Sequence, residues 1–300
     1  MFEGSTVALV TPFRRGKLDL EGLRKNILFC LKNHTSGFAP CATTGEAPSL
    51  TEEEKDLIIG LTIETVRKKG FVIAGTGTNS TQKTIEATKR AKELGVDGVL
   101  IVTPYYNKPT QEGLYRHFRE VAESVDIPIV LYNVPSRTGV NLLPQTVKRL
   151  ADDCKNIVAI KEASGNLDQA SEIVRLCGER ITLLSGDDSL TLPILSVGGK
   201  GVVSVVANII PKDVALMIES FLSKDIEKAV RIHLKMLPLV KAMFIETNPI
   251  PVKAAMNLLG MRAGNPRLPL WKASPKSLRI IKKALKELSL IHISEPTRPY

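Results

Sequence analysis

A chain of 300 residues, of which 43% are hydrophobic and 24% charged, is long enough for one large α/β barrel or for two ordinary domains. It contains no apolar run of the ~18 residues that a bilayer-spanning helix needs, and its first residues lack the basic and apolar segments of a signal peptide. The four cysteines form no CxxC pair and the four histidines have no metal-ligand spacing. We therefore expect free thiols in the cytoplasm and no metal.

The net charge of +10 is the bulk property that suggests a nucleic-acid partner. The lysines and arginines are, however, interspersed with acids along the helical patterns, and only 5% of the residues are aromatic. A solvated basic surface therefore explains the net charge better than a basic strip that binds nucleic acid. We expect no nucleic acid and no membrane among the partners, and an easier approach for small anionic substrates.

Short apolar runs rich in β-branched residues alternate with amphipathic stretches along most of the chain. Helix starts are marked by Asp19, by the capping box that begins at Thr51, and by Pro144 as a first-turn residue. The predicted strands are residues 6–11, 37–42, 71–74, 98–103, 127–132, 157–161, 181–184 and 201–206. The predicted helices cover residues 19–32, 51–69, 80–93 and 111–124, with two more that begin near residues 144 and 211.

Eight strand–helix units, each of roughly 25–30 residues, are typical of a (β/α)8 TIM barrel. The absence of GxGxxG after the first strand disfavours the doubly wound alternative. We predict that residues 1–223 form the barrel with the active site. Residues 224–289 show helical patterns at 225–244, 251–259 and 275–288, and predict a small helical region packed on the barrel. Residues 290–300 carry two prolines and no periodicity, and are expected to be a non-native or disordered tail.

Lys161 ends the sixth predicted strand, on the face that it shares with Ile157 and Ala159 and that looks inward. Most lysines at strand ends are simply solvated. In a β/α barrel, however, active sites are built at the carboxyl ends of the strands. A lysine there can form a Schiff base with a carbonyl substrate once its surroundings lower its pKa.

The other predicted strand ends provide hydroxyls, phenols and a guanidinium, and they lack the parts of several common mechanisms. No histidine, acidic pair or cysteine with a base is among them, so Ser-His-Asp catalysis, two-carboxylate hydrolysis and metal chemistry are disfavoured. Lysine-imine chemistry on an oxo-acid remains, with a phenol as proton relay and an arginine for a carboxylate. Each residue alone also fits a turn or a solvated loop. With Lys161 included, the residues at the predicted strand ends are Thr43, Thr44, Tyr106, Tyr132, Arg137, Lys161, Gly186 and Ser204.

Six segments carry a close resemblance to a known family. They are TTGE at 43–46, VTPYYN at 102–107, YNVPSRTG at 132–139, IKEA at 160–163, SGDD at 185–188 and NPIPVK at 248–253. Over residues 1–289 the chain resembles the dihydrodipicolinate synthase family of pyruvate-dependent class I aldolases. The resemblance implies condensation of pyruvate with L-aspartate-4-semialdehyde to 4-hydroxy-tetrahydrodipicolinate in lysine (diaminopimelate) biosynthesis, with no cofactor. It also implies a homotetramer made of two tight dimers.

The same resemblance implies a role for each site residue. Lys161 forms the imine, and Tyr132, Thr44 and Tyr106 form a proton relay in which Tyr106 comes from a neighbouring subunit. The implied substrate contacts are Thr43 and Thr44 for the pyruvate carboxylate, Arg137 for the semialdehyde carboxylate, and the backbone of Gly186 and Val203.

Two alternatives remain open. An N-acetylneuraminate lyase or a 2-keto-3-deoxy sugar acid aldolase shares the lysine and the strand-five tyrosine, but Arg137 and the Tyr105–Tyr106 pair favour the synthase. A non-catalytic barrel that binds acidic partners through its basic surface has no need of the intact lysine and relay residues.

Some members of the family are inhibited by lysine, and the resemblance extends only partly to that pocket. Asn79 and Tyr105 are present, but Glu52 replaces a histidine and Lys83 replaces a glutamate that would attract the amino group of the ligand. We expect weak or absent inhibition by lysine.

Overall fold

Eight parallel strands form a closed barrel in this chain, which a computed structural model describes over residues 1–291. Each barrel strand pairs with the next one along the chain, and β10 closes the barrel against β1. The predicted (β/α)8 fold is confirmed. The barrel strands are β1 (Gly4–Ala8), β4 (Gly37–Ala39), β5 (Phe71–Gly75), β6 (Gly98–Val102), β7 (Ile129–Asn133), β8 (Ile157–Glu162), β9 (Thr182–Ser185) and β10 (Gly201–Ser204); β2 (Phe13–Arg14) and β3 (Lys17–Leu18) form a separate hairpin.

Helices surround the barrel and continue into a C-terminal group. Asp19 and Thr51 cap the first two as predicted, and Thr51 forms the complete capping box with Glu54. The barrel helices are α1 (Leu20–Lys32), α2 (Glu52–Val66), α3 (Thr81–Leu94), α4 (Gln111–Ser124), α5 (Pro135–Thr138), α6 (Pro144–Asp153), α7 (Leu167–Cys177), α8 (Thr191–Ser196) and α9 (Pro211–Leu222). The C-terminal helices are α10 (Ile226–Ala242), α11 (Ile250–Leu258) and α12 (Pro275–Glu287). No helix within residues 1–291 is both long and apolar enough to cross a bilayer.

Four of the barrel strands, β1, β4, β6 and β10, end earlier than the apolar runs that predict them. The first run continues to residue 11, but its last pairing with β4 joins Ala8 to Ala39. Beyond that point the backbone N–H of Val10 donates to the side chain of Asn208 instead of to a strand. Periodicity detects buried residues, whereas a strand also needs a partner for its backbone, so the ladder stops where the neighbouring strand stops.

Two layers of apolar side chains fill the molecule. The outer layer lies between the strands and the helices and contains most of the buried residues. The inner layer fills the barrel and consists of Phe2, Ala8, Ala39, Ala42, Ile73, Leu100, Val130, Tyr132, Val134, Ala159, Leu184 and Val203. A barrel of eight strands is just wide enough for such a filling, so its interior is a packed core and not a pore.

One predicted face is wrong at the start of β8. The sequence predicts an inward position for both Ile157 and Ala159, but Ile157 packs in the outer layer. Ile129 pairs with Ile157, whereas the next residue, Val130, pairs with Ala159. Val158 is therefore an extra residue on β8, and such a bulge interrupts the strict alternation of faces. Beyond the bulge, Ala159 and Lys161 point inward as predicted.

The C-terminal helices are fastened to the loop after β4 by a buried ion pair. Lys253 on α11 lies 2.6 Å from Glu46, and neither side chain is more than 1% exposed. The same ammonium donates to the carbonyl of Thr11 and lies 4.3 Å from the ring centre of Phe13. Of the predicted tail, Leu290 and Ile291 are within the described part of the chain, and residues 292–300 lie outside it.

Candidate active site

Lys161 and Tyr132 lie side by side near the carboxyl ends of neighbouring strands. The pairing of β7 with β8 places the two residues opposite each other. Both are buried, with 4% and 6% of their surface exposed. The Nζ atom of Lys161 lies 4.0 Å from the centre of the Tyr132 ring. An amine is thus held, in the mouth of the barrel, beside a phenol that can transfer protons.

Gly186 leaves the space that the lysine side chain occupies. Its N–H donates to the carbonyl of Glu162 at 2.7 Å, which extends the pairing of β8 and β9 by one bond. A Cβ atom at position 186 would lie 2.6 Å from the Cβ of Ala163 and 3.1 Å from the Cε of Lys161. A side chain there would clash with Ala163 and crowd the end of the lysine side chain, so a glycine is required at this position.

Thr44 is buried and Thr43 is half-buried in the loop after β4. The side-chain amide of Asn248 donates to the Oγ1 of Thr44 at 2.9 Å. Because the amide is the donor in this bond, the threonine hydroxyl keeps its own proton for a second partner. That arrangement suits a hydroxyl that takes part in a proton relay.

Arg137 lies on α5, the single helical turn that follows β7, and its side chain is exposed. Its Nη2 donates to the backbone carbonyl of Asn248 at 3.3 Å. Asn248 therefore contacts Thr44 through its side chain and Arg137 through its backbone, and its own Oδ1 is buried with no hydrogen-bond partner within residues 1–291. Among the described residues the guanidinium makes no other hydrogen bond, so its remaining N–H groups can bind a carboxylate at the rim of the site.

Val203 belongs to the inner layer and pairs with Thr6 across the β1–β10 junction. The next residue, Ser204, donates through Oγ to the carboxylate of Asp188 at 2.5 Å. Asp188 also accepts the N–H groups of Val205 and Val206, so it ties the loop after β9 to the end of β10. Burial raises the pKa of Asp188 to about 6. Ser204 therefore has a structural partner here.

Tyr106 is the predicted site residue that the fold does not bring to the others. Its side chain is 90% exposed, and its backbone is left-handed, with φ of +75°. That conformation costs a residue other than glycine about 1–2 kcal/mol. The outward position agrees with a tyrosine that serves another subunit, and that role stays a prediction.

The residues that the resemblance implies for a lysine pocket lie on different elements, with Asn79 and Lys83 at the start of α3 and Glu52 at the start of α2. Tyr105 and Asn79 are half-buried, and the carbonyl of Asn79 accepts from the side chain of Asn107. Lys83 is exposed, and Glu52 pairs with Lys55 at 2.7 Å. The negative charge of Glu52 is thus already engaged by a lysine of its own helix.

Other nucleophiles and metal ligands do not compete with Lys161 in the described chain. The four cysteines are all buried and none forms a disulfide. Burial raises the pKa of both Cys30 and Cys41 to about 12, so neither provides a thiolate. Within residues 1–291, no three histidine, cysteine or acidic side chains are grouped so that they could hold a metal ion.

Comparison with known proteins agrees with this geometry. The model of the dihydrodipicolinate synthetase family matches residues 1–288. The chain belongs to the dihydrodipicolinate synthetase family. A curated relative from Geobacter sp. (strain M21), named 4-hydroxy-tetrahydrodipicolinate synthase, is 54% identical over 291 residues, which cover 97% of this chain and all of the relative.

Solved structures of family members superpose closely on the chain. One crystal structure of a dihydrodipicolinate synthase is 52% identical, with a TM-score of 0.95, and the match covers 97% of this chain and 100% of that one. The chloride-inhibited synthase from Acinetobacter baumannii, solved in complex with pyruvate, is 40% identical with a TM-score of 0.95 over 97% and 100% of the two chains.

Three buried polar residues of this family member have contacts that are not predicted from the sequence. Asn248, Glu46 and Lys253 belong to segments that resemble the family, yet no local pattern says what they bind. Asn248 meets Thr44 across 204 residues of chain, and Lys253 meets Glu46 across 207. The available signal is the chemistry of the residues themselves, because an asparagine and a lysine in a largely apolar segment must find hydrogen-bond partners when they are buried.

Proposed function

We propose that this member of the dihydrodipicolinate synthetase family condenses pyruvate with L-aspartate-4-semialdehyde to 4-hydroxy-tetrahydrodipicolinate, a step of lysine biosynthesis. The observation that carries the proposal is the buried contact of 4.0 Å between the Lys161 amine and the Tyr132 ring. The name shared by the curated relatives supports the choice of product, and the pyruvate complex of the Acinetobacter baumannii protein supports the first substrate.

In the proposed reaction, the neutral amine of Lys161 adds to C2 of pyruvate, and the ketone oxygen leaves as water. The product is a positively charged iminium, and loss of a C3 proton converts it to an enamine. C3 then forms a bond to the aldehyde carbon of the semialdehyde, whose oxygen takes up a proton. Finally the amino group of the adduct attacks C2 and displaces the lysine, which closes the ring. Tyr132, Thr44 and the partner's tyrosine at position 106 move the protons in these steps.

The proposed substrate contacts are those that the family resemblance implies. Thr43 and Thr44, after β4, hold the pyruvate carboxylate, and the backbone of Gly186 and Val203 completes that subsite. Arg137 at the rim holds the carboxylate of the semialdehyde, because a guanidinium binds a carboxylate through two parallel hydrogen bonds. An exposed arginine at the mouth leaves room for the second substrate to enter after the imine has formed.

We also propose a homotetramer made of two tight dimers in which Tyr106 is shared across the tight interface. The support is its 90% exposure combined with a strained backbone, since such an aromatic residue is suited to insertion into a second subunit. The four buried thiols suit a reducing cytoplasm.

Borohydride trapping with pyruvate tests the proposal. Mass spectrometry of the digested protein should show one reduced pyruvate on the peptide that carries Lys161. Lys161→Arg should abolish the adduct, because a guanidinium stays protonated near neutral pH. Lys155→Arg is the matched control, since Lys155 is exposed just before the same strand and its replacement should leave trapping intact. An adduct that persists on another lysine in Lys161→Arg would refute the assignment.

A further inference from the structure

A buried polar cluster lies behind the two strand ends that carry Lys161 and Tyr132. Glu162 and Asn133 are the next residues on those strands, and they pair with each other across β7 and β8. Because strand side chains alternate, this second pair is on the opposite face from the first. The Nδ2 of Asn133 donates to the Oε2 of Glu162 at 3.0 Å, and the two residues are 0% and 2% exposed.

The carboxylate of Glu162 is surrounded by neutral N–H donors. Its Oε1 accepts from the backbone of Ser164 at 2.6 Å, and its Oε2 also accepts from the Nε2 of Gln169 at 3.0 Å. Asn141 completes the cluster: its Nδ2 donates to the Oε1 of Gln169, and its Oδ1 accepts from Asn133. A site that offers only donors suits an ionised carboxylate, which has nothing to donate.

Within residues 1–291 the hydrogen bonds to this carboxylate all come from neutral groups, and a buried anion without a cation beside it is expensive for the fold. The cation that matches it arises one residue away. When Lys161 condenses with pyruvate, its neutral amine, the ketone and one proton become an iminium and a water, so a positive charge appears on the lysine nitrogen. This charge forms only if the proposed function is right, so the inference rests on the proposed function.

We propose that Glu162 is a positioning and charge-balancing residue for Lys161. Through its hydrogen bond to Asn133 it holds the ends of β7 and β8 in register, which keeps the lysine against the Tyr132 ring. Through its negative charge, in a region from which water is excluded, it favours the iminium over the free amine. It acts on the reaction through its neighbours and does not touch the substrate.

The test measures imine formation directly. The pyruvate concentration that gives half-maximal borohydride trapping is determined for the wild type and for Glu162→Gln, which removes the charge at nearly constant shape. We expect that concentration to rise roughly tenfold, because the iminium loses the anion that stabilises it. Asp168→Asn is the matched control, because Asp168 is an exposed acid in the first turn of α7, and its loss should change the value less than about twofold.

The new amide in Glu162→Gln faces other amide donors. A second variant provides the test if this one does not fold. Glu162→Leu combined with Gln169→Leu removes the anion and one facing donor together, a change that buried polar pairs tolerate better than the loss of one partner. It should show the same shift in half-saturating pyruvate. A folded variant of either kind with the wild-type value would overturn the proposal, because a purely structural role changes stability without changing that value. If the wild type itself shows no adduct on Lys161, the proposed function fails instead.

Discussion

The buried ion pair between Lys253 and Glu46 provides a quantitative test of how the C-terminal helices are attached. The two side chains are 0% and 1% exposed, and Nζ lies 2.6 Å from Oε1. Lys253 also donates to the carbonyl of Thr11, and Glu46 also accepts from the backbone N–H of Arg267. Burial lowers the pKa of Lys253 although Glu46 acts in the opposite direction. For the lysine, therefore, the cost of leaving water exceeds the attraction of its partner.

Lys253→Met should be strongly destabilising because it leaves the carboxylate of Glu46 buried without a cation. Removing one partner of such a pair costs about 3–5 kcal/mol. With an unfolding entropy of ~2.1 cal/mol/K per residue over about 290 residues, that loss corresponds to a fall in Tm of roughly 5–8 °C. The free energy of unfolding is measured by urea titration followed by circular dichroism, at one fixed protein concentration so that assembly affects all variants equally.

Two comparison variants show whether the loss of stability comes from the single buried charge that is left unpaired. Glu46→Leu combined with Lys253→Met replaces both charges by apolar groups and should recover most of the loss, to within about 1–2 kcal/mol of the wild type, since Arg267 loses one acceptor. Lys235→Met removes a lysine that is 61% exposed and lies 3.4 Å from Asp213, and should cost less than about 0.5 kcal/mol. A cost below about 1 kcal/mol for Lys253→Met, or a double variant no better than the single one, would refute this account of the pair.

Four further predictions concern the second substrate, the assembly, the pH dependence and the effector. Arg137→Ala should leave pyruvate trapping intact but raise the KM for the semialdehyde roughly 30-fold or more, because a charge-assisted contact is lost; unchanged kinetics with the semialdehyde would contradict that role. Mixing inactive Tyr106→Phe and Lys161→Ala subunits should restore activity at one of the two sites of each mixed dimer, whereas verified mixed dimers without activity would show that the tyrosine is not shared. Burial lowers the pKa of His117 from 6.5 to about 4, so between these pH values the unfolded chain binds a proton that the folded chain does not. About 3 kcal/mol of the free energy of unfolding is therefore present above pH 6.5 and lost as the pH falls from 6.5 to 4. Urea titrations of His117→Gln at several pH values should lack that pH dependence, and an unchanged dependence would show that another group causes it. L-lysine titrated at saturating pyruvate should inhibit weakly or not at all because Lys83 repels its amino groups, and half-inhibition at submillimolar lysine would show that the pocket works despite that charge.

Much of the fold follows from local patterns in the sequence. The caps at Asp19 and Thr51 and the first-turn proline at 144 depend on residues within one helical turn, and the structure has them where they are predicted. The order of eight apolar runs and intervening helices is enough to predict a closed parallel barrel. In such a barrel, consecutive strands are neighbours, so the contact between Tyr132 and Lys161 also follows from chain order and alternation.

Other features were decided only when distant parts of the chain met. The bulge at Val158, which moves Ile157 to the outer layer, depends on the register with β7, and no periodicity within β8 contains that register. Asn248 finds Thr44 across 204 residues, and the buried pair of Lys253 joins segments 207 residues apart. A periodic pattern states which face of an element is apolar, but it does not state which group on another element will satisfy a buried charge or amide. That choice is made by the packing of α11 against the loop after β4, because a polar group excluded from water must bond to whatever the completed fold places beside it.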